Sequence, residues 1–112
     1  MAQVPGGSLA KSNGTTAVDI IGSPAASTQR IASGATLFNN DSIPHVVRLQ
    51  VTDGMNTSVL DEQTIDPRGR YMWGTGRETQ VLDSTTKKMQ FVLAEAKASS
   101  DCDCTGTWLD NS

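Results

Sequence analysis

The fold class is indicated first by one stretch of sequence, HVVRLQVTDG at residues 45–54. Branched apolar side chains recur at every second position from Val47 to Val51, with polar side chains between them, which is the pattern of a half-buried β-strand. Asp53-Gly54 follows at once, and this dipeptide is a strong short-range hairpin signal. We therefore predict that residues 58–65 return antiparallel to the strand at 45–52.

Similar short apolar runs, separated by polar turns, extend to both sides of this hairpin. In the strand predicted at 30–38, strict alternation places Ile31, Ser33, Ala35 and Leu37 on one face. The other predicted strands are 17–21, 70–74 and 105–109, and the clearest turns are Asn39-Asn40-Asp41 and Asp66-Pro67-Arg68-Gly69.

One segment, residues 83–99, admits two interpretations. Asp83 or Ser84 could cap a helix there. Alternatively, Met89, Phe91 and Leu93 alternate as a strand, which the β-rich neighbours favour. With that strand the chain has seven or eight short strands, and their spacing predicts an all-β fold: a single β-sandwich or jelly-roll-like domain.

The N-terminal residues differ in composition from the rest, and we predict an extended arm at 1–16 before a β-sandwich domain at 17–112. After Met1, Val4 and Leu9 are the only sizeable apolar side chains of the arm. Ordering the backbone costs about 1–2 kcal/mol per residue, whereas burying those two side chains returns only about 1.5–3 kcal/mol each. The arm is therefore expected to be disordered alone and to become ordered by pairing with a neighbouring subunit; a disordered tail is the alternative.

Composition argues against several classes of function. Nine Lys and Arg stand against twelve Asp and Glu, a net charge of −3, and no basic stripe is interleaved with aromatic residues, so no nucleic-acid partner is expected. The sequence contains no run of about 20 apolar residues, so no membrane partner is expected either.

The residues capable of chemistry are few. Cys102 and Cys104 lie two positions apart on a predicted strand, where their Cα atoms would be about 6.6 Å apart, near the upper limit for a disulfide. They are therefore predicted to be free structural thiols; a metal or disulfide shared between subunits and a redox role are the alternatives. The single histidine, His45, lacks an evident catalytic partner and is expected at a surface or an interface. We expect no enzyme activity, cofactor or metal.

A cluster of arginine and aromatic residues follows the turn at 66–69. These residue types are enriched at binding hot spots, so the cluster is predicted to contact another protein chain; a solvated hairpin tip is the alternative. Together with the two apolar residues of the arm, the predicted interface comprises Val4, Leu9, Arg68, Arg70, Tyr71, Trp73 and Arg77.

Several further segments carry a family resemblance. They are Pro24-Ala25-Ala26, Phe38-Asn39-Asn40-Asp41 with its strand to Val51, Pro67-Arg68-Gly69-Arg70-Tyr71, Leu82-Asp83-Ser84-Thr85, and the run from Met89 to Ala96 with Cys102 and Trp108 beyond it. In these features the chain resembles small virion proteins encoded in the structural gene clusters of tailed bacteriophages. The resemblance covers most of the chain outside the arm, and it implies a virion component with no catalytic residues.

Three functions are consistent with these observations. The first is a capsid decoration (cement) protein, located on the virion as a homo-oligomer such as a trimer, with the major capsid protein or other virion proteins as partners. The second is a tail, neck or fibre component. The third, from another class, is a small enzyme or a carbohydrate-binding module in which Tyr71 and Trp73 line one sugar site.

Overall fold

The computed structural model of the chain describes residues 3–74 and 79–111. The regular secondary structure in these residues consists of β-strands. In chain order they are β1 (Gln3–Ser12), β2 (Val18–Ile21), β3 (Gln29–Phe38), β4 (His45–Thr52), β5 (Thr57–Ile65), β6 (Arg70–Trp73), β7 (Gln80–Leu82), β8 (Lys88–Leu93) and β9 (Cys102–Asn111).

The strands form two antiparallel sheets that pack face to face. Sheet A has the order β1-β9-β3-β6, with β7 also paired to β3, and sheet B has the order β2-β8-β4-β5. The predicted all-β sandwich is thus confirmed. Within residues 3–74 and 79–111, no helix is long and apolar enough to cross a membrane.

The core lies between the sheets and is built from their inward-facing side chains. Val47 and Leu49 of β4 are fully buried, as the alternation at 45–52 predicts. Tyr71 of sheet A meets Phe91 of sheet B edge to face, with ring centroids 5.6 Å apart and planes at 88°, a favoured aromatic geometry. These rings help to join the two sheets.

The predicted hairpin is present. β4 and β5 pair antiparallel from His45 opposite Ile65 to Thr52 opposite Thr57. At the turn, the Asp53 carboxylate accepts hydrogen bonds from the backbone N–H groups of Met55 and Asn56, which satisfies main-chain donors that the ladder leaves open.

The ambiguous segment is a strand. β8 alternates between buried and half-buried side chains, with Met89, Phe91 and Leu93 facing the core. It pairs with β4 on one side and β2 on the other. A central position in sheet B therefore favours the strand over the helix.

The predicted assignment of β3 side chains to the two faces of the sheet is wrong for the first half of the strand. The ladder between β3 and β9 shifts register between Ala32 and Gly34, so Ala32 is buried together with Ala35 and Leu37 while Ile31 lies on the other face. An extra residue at such an irregularity reverses the alternation beyond it, which strict period-two reasoning does not allow for.

The N-terminal segment also differs from its prediction. β1 pairs with β9 of its own chain along ten residues, from Gln3 opposite Asn111 to Ser12 opposite Cys102, so residues 3–12 are an edge strand of sheet A rather than an arm separate from the sandwich. The prediction assigned the compensating main-chain hydrogen bonds to a neighbouring subunit. Here β9, which is equally long, supplies them.

Gly106 permits the close approach of β9 to β2. A Cβ atom at this position would lie 2.6 Å from the carbonyl oxygen of Ile20 in the opposite sheet. We expect Gly106→Ala to lower the free energy of unfolding by about 1–3 kcal/mol, because overpacking forces the sheets apart. Denaturant unfolding measures this change. Gly7→Ala is the matched control, since its Cβ would meet its nearest atom at 3.5 Å; equal stability of the two variants would contradict the prediction.

Candidate protein-docking face

The two cysteines lie on β9, beside β1, and their side chains are buried in the core. Both thiols are free, which confirms that prediction, and the Cys102 Sγ lies 3.5 Å from the Asn39 side-chain oxygen. Burial raises the pKa of Cys104 to about 12, and it also raises the pKa of Cys102. Because their own chain encloses them, these thiols are out of reach of a second subunit and poorly suited to nucleophilic chemistry.

The expectation that His45 lies at a surface or an interface is wrong. Its side chain is fully buried between two carboxylates: Nε2 lies 2.7 Å from Asp41 Oδ2 and Nδ1 lies 3.1 Å from Glu95 Oε1. With both ring nitrogens occupied by partners of its own chain, the imidazole has no side open to a substrate.

The buried Asp41 carboxylate organises the loop before β9. It accepts hydrogen bonds from the backbone N–H groups of Ala98 and Ser99 at 2.7 and 2.8 Å, and from that of Ser100 at 3.2 Å. Burial by itself would raise the pKa of Asp41, but these donors and His45 outweigh burial and hold the pKa well below its usual range. The sequence indicated only a turn here, because the donors lie nearly sixty residues away.

The remaining acidic side chains of the described residues are dispersed. Among residues 3–74 and 79–111, no group of three or more His, Cys, Asp or Glu side chains is placed to hold a metal ion.

The predicted arginine and aromatic cluster is divided by the structure. Tyr71 is buried, and its hydroxyl donates to Asp61 Oδ2 at 2.8 Å, so its assignment to an exposed interface or sugar site is wrong. Trp73 is half-buried against the core. Arg68 and Arg70 are exposed, and Arg77 lies outside the described residues. A strand places Tyr71 and Trp73 on one face, and in β6 that face points inward.

The outward face of sheet A, in contrast, presents apolar side chains in two rows across the strands. In each row, cross-strand partners from neighbouring strands stand side by side. We name them the Leu9 row, which contains Leu9, Thr105, Thr36 and Met72, and the Pro5 row, which contains Pro5, Leu109, Ile31 and Val81.

A strip of small residues separates the two rows. Gly7 of β1 and Gly34 of β3 both lie opposite Thr107 of β9. We call these three residues the furrow. The two glycines carry no side chains, so Thr107 alone fills it, and its hydroxyl reaches over Gly34 to within 3.3 Å of the Ser33 hydroxyl. Leu9 is 86% exposed and Met72 is 52% exposed, so the rim of the furrow is open to solvent.

Charge is confined to one end of this face. Lys11 and Asp103 form an ion pair at 2.7 Å, and Arg70 stands in the same cross-strand row through Phe38. Among the described positions that face outward from sheet A, these three are the charged ones. The rest of the face is apolar or carries hydroxyl and amide groups.

The outward face of sheet B has the opposite character. Asp19 accepts hydrogen bonds from Lys88 Nζ and Gln90 Nε2 at 3.1 and 2.8 Å, and Arg48 pairs with Glu62 at 3.2 Å. Cross-strand polar pairs of this kind are typical of a sheet that faces water. The contrast marks the outward face of sheet A as the candidate docking face.

Two residues of the interface predicted from sequence, Leu9 and Arg70, are members of this face. Leu9 lies on it, as its predicted interface role requires, whereas Val4 is exposed near the end of β1, in register with Asp110. Met72 was overlooked although it lies between the two aromatic residues that were named. Its alternation with Tyr71 was the available signal, since one of the two had to face outward.

No protein-family model matches this chain, and no curated protein matches it significantly in sequence.

The lowered pKa of Asp41 generates a test of its anchoring role. In the unfolded chain the pKa of this carboxyl is about 3.9. Its contribution to stability is therefore present above that pH, and it is lost as the pH falls toward the lower pKa of the folded state. We expect Asp41→Asn to melt well below the wild type at neutral pH, with the gap narrowing under acid. Thermal melts across pH measure this, and Asp66→Asn, at an exposed turn, is the control. If the difference in melting temperature between the two proteins stayed constant with pH, the charge of the Asp41 carboxylate would not be what stabilises the fold.

The enclosed thiols generate a second test. In the absence of reductant, the native protein should react only slowly with a thiol-specific reagent, whereas the denatured protein should show both thiols per chain. A count of zero after unfolding would reveal a disulfide. Rapid reaction of the native protein would show that the thiols are not enclosed in the core.

Proposed function

We propose that this chain is a non-enzymatic structural protein of a bacteriophage virion, specifically a capsid decoration (cement) protein that binds and stabilises the assembled head. The observation that supports this proposal most directly is the difference between its two outward faces: sheet B carries charged pairs across its strands, whereas sheet A carries charge only at one end and largely apolar rows beyond it. An apolar face of this extent is typical of a protein interaction site.

The placement of the reactive side chains agrees with a binding role. His45 is held between two carboxylates, and Cys102 and Cys104 are enclosed in the core. The resemblance of the segments from Ile20 to Trp108 to small phage virion proteins supports the same class.

The energetics suit a protein that strengthens an assembly. Burying an exposed side chain such as Leu9 or Met72 contributes about 1.5–3 kcal/mol, so one docked face supplies several such increments. The cross-strand hydrogen bonds of sheet A hold these side chains in place before binding, and a preorganised surface loses little conformational entropy on docking. Repeated over many equivalent positions on a shell, a modest gain per copy stabilises the whole particle.

A binding experiment on particles tests the proposal. The purified full chain is added to heads that lack it, prepared from the phage that encodes it, and bound density is located by electron microscopy. We expect density on the outer surface of the head and a higher disruption temperature for decorated heads. Density on the tail, neck or fibres would instead support the alternative assignment, and an absence of density from complete virions would contradict both.

A further inference from the structure

We propose that the outward face of sheet A binds the same face of a second copy of this chain, so that two sandwiches stack through their A sheets about a two-fold axis. This inference goes beyond the proposed function and is measured on the isolated protein. Because one face cannot bind the head and a second copy at once, the dimer is a state of the free protein and dissociates when the face docks on the head. The inference rests on three properties of the face: its charge, the arrangement of its rows and its area.

The charge of the face suits an identical partner. The chain as a whole carries a net charge of −3, so copies that met through an acidic surface would repel one another. On the outward face of sheet A, Lys11 and Asp103 neutralise each other at 2.7 Å, and Arg70 stands at the same end. The two apolar rows and the furrow carry no charge, so two such faces meet without juxtaposing like charges across their centre.

The arrangement of the rows also suits an identical partner. Successive cross-strand rows are two residues apart, which is about 6.8 Å along an antiparallel strand, so the Leu9 row, the furrow and the Pro5 row alternate as ridge, groove and ridge. A two-fold axis that lies in the interface along the furrow places each copy's Leu9 row against the other copy's Pro5 row, so the apolar side chains of one row meet those of the other. The two furrows then face each other across the axis, and the charged end of each face lies outside these apolar contacts.

The area of the face is close to what a stable dimer needs. Sheet A consists of three ten-residue strands, with the shorter β6 and β7 sharing the fourth position beside β3. It covers at most about 34 by 19 Å, or roughly 650 Å² per copy, against about 800 Å² per partner in a standard interface. We therefore expect a dimer with a dissociation constant on the order of micromolar.

The symmetry of the contact specifies the number of copies. A patch that binds its own equivalent forms an isologous interface, which closes at two subunits. The trimer expected from sequence would require two different patches to meet in a ring. The outward face of sheet A therefore predicts a two-fold unit.

Sedimentation analysis of the full chain across a micromolar concentration series tests this inference. We expect the wild type to approach twice the 11.9 kDa chain mass, and Leu9→Lys or Met72→Lys to weaken dimerisation by at least about tenfold. Val59→Lys is the matched control, because Val59 is 51% exposed on the edge strand of sheet B; this variant should dimerise like the wild type. Thermal melts verify that each variant is folded.

A second variant tests the arrangement of the two faces. Thr107→Tyr places a ring in the furrow while leaving both apolar rows intact, so we expect it to abolish the dimer without unfolding the domain. A dimer of wild-type affinity in Thr107→Tyr or Leu9→Lys would overturn the inference, as would a wild type that stays monomeric or forms a trimer. A monomeric wild type that still decorates heads would leave the proposed function standing.

Discussion

The structure depends most on the polar anchor at the end of the sandwich where the chain crosses between the sheets. Asn39 and Asp41 lie in the crossing from β3 to β4. The Asp41 carboxylate binds the backbone of the crossing from β8 to β9, and the Asn39 backbone bonds to Arg68 and Gly69 in the crossing from β5 to β6. Three crossings are therefore joined at one place, and removing a buried, multiply bonded group is costly because its partners remain unsatisfied.

The opposite end of the molecule is held by one arginine. Arg30 makes a two-pronged contact with the Asp110 carboxylate at 2.8 and 3.1 Å, donates to the carbonyl oxygen of Gly22 at 2.9 Å, and places its guanidinium 4.5 Å from the centre of the Trp108 ring. This side chain thereby ties the segment after β2 to β9. With both ends held, the strands of sheet A keep their register, and a fixed register is what aligns side chains from different strands into rows.

The distribution of the polar groups supports the proposed binding role. The anchors draw His45, Asp41 and both thiols into contacts within the chain, so the groups capable of chemistry stabilise the fold. The solvent-facing side of sheet B carries ion pairs such as that between Lys88 and Asp19. The outward face of sheet A is what remains for recognition, and its apolar rows suit a protein surface better than a polar ligand.

The sequence by itself determined the features that depend on neighbours in the chain. The alternation from Val47 to Val51, the turn at Asp53-Gly54 and the strand character of 88–93 were predicted correctly, because each follows from local periodicity or turn chemistry. Tertiary structure alone decided the burial of His45, the register shift near Ser33 and the rows that bring Leu9 beside Thr105 and, through Thr36, near Met72. In each of these cases the deciding partner is remote in sequence, and only the pairing of strands brings it within reach.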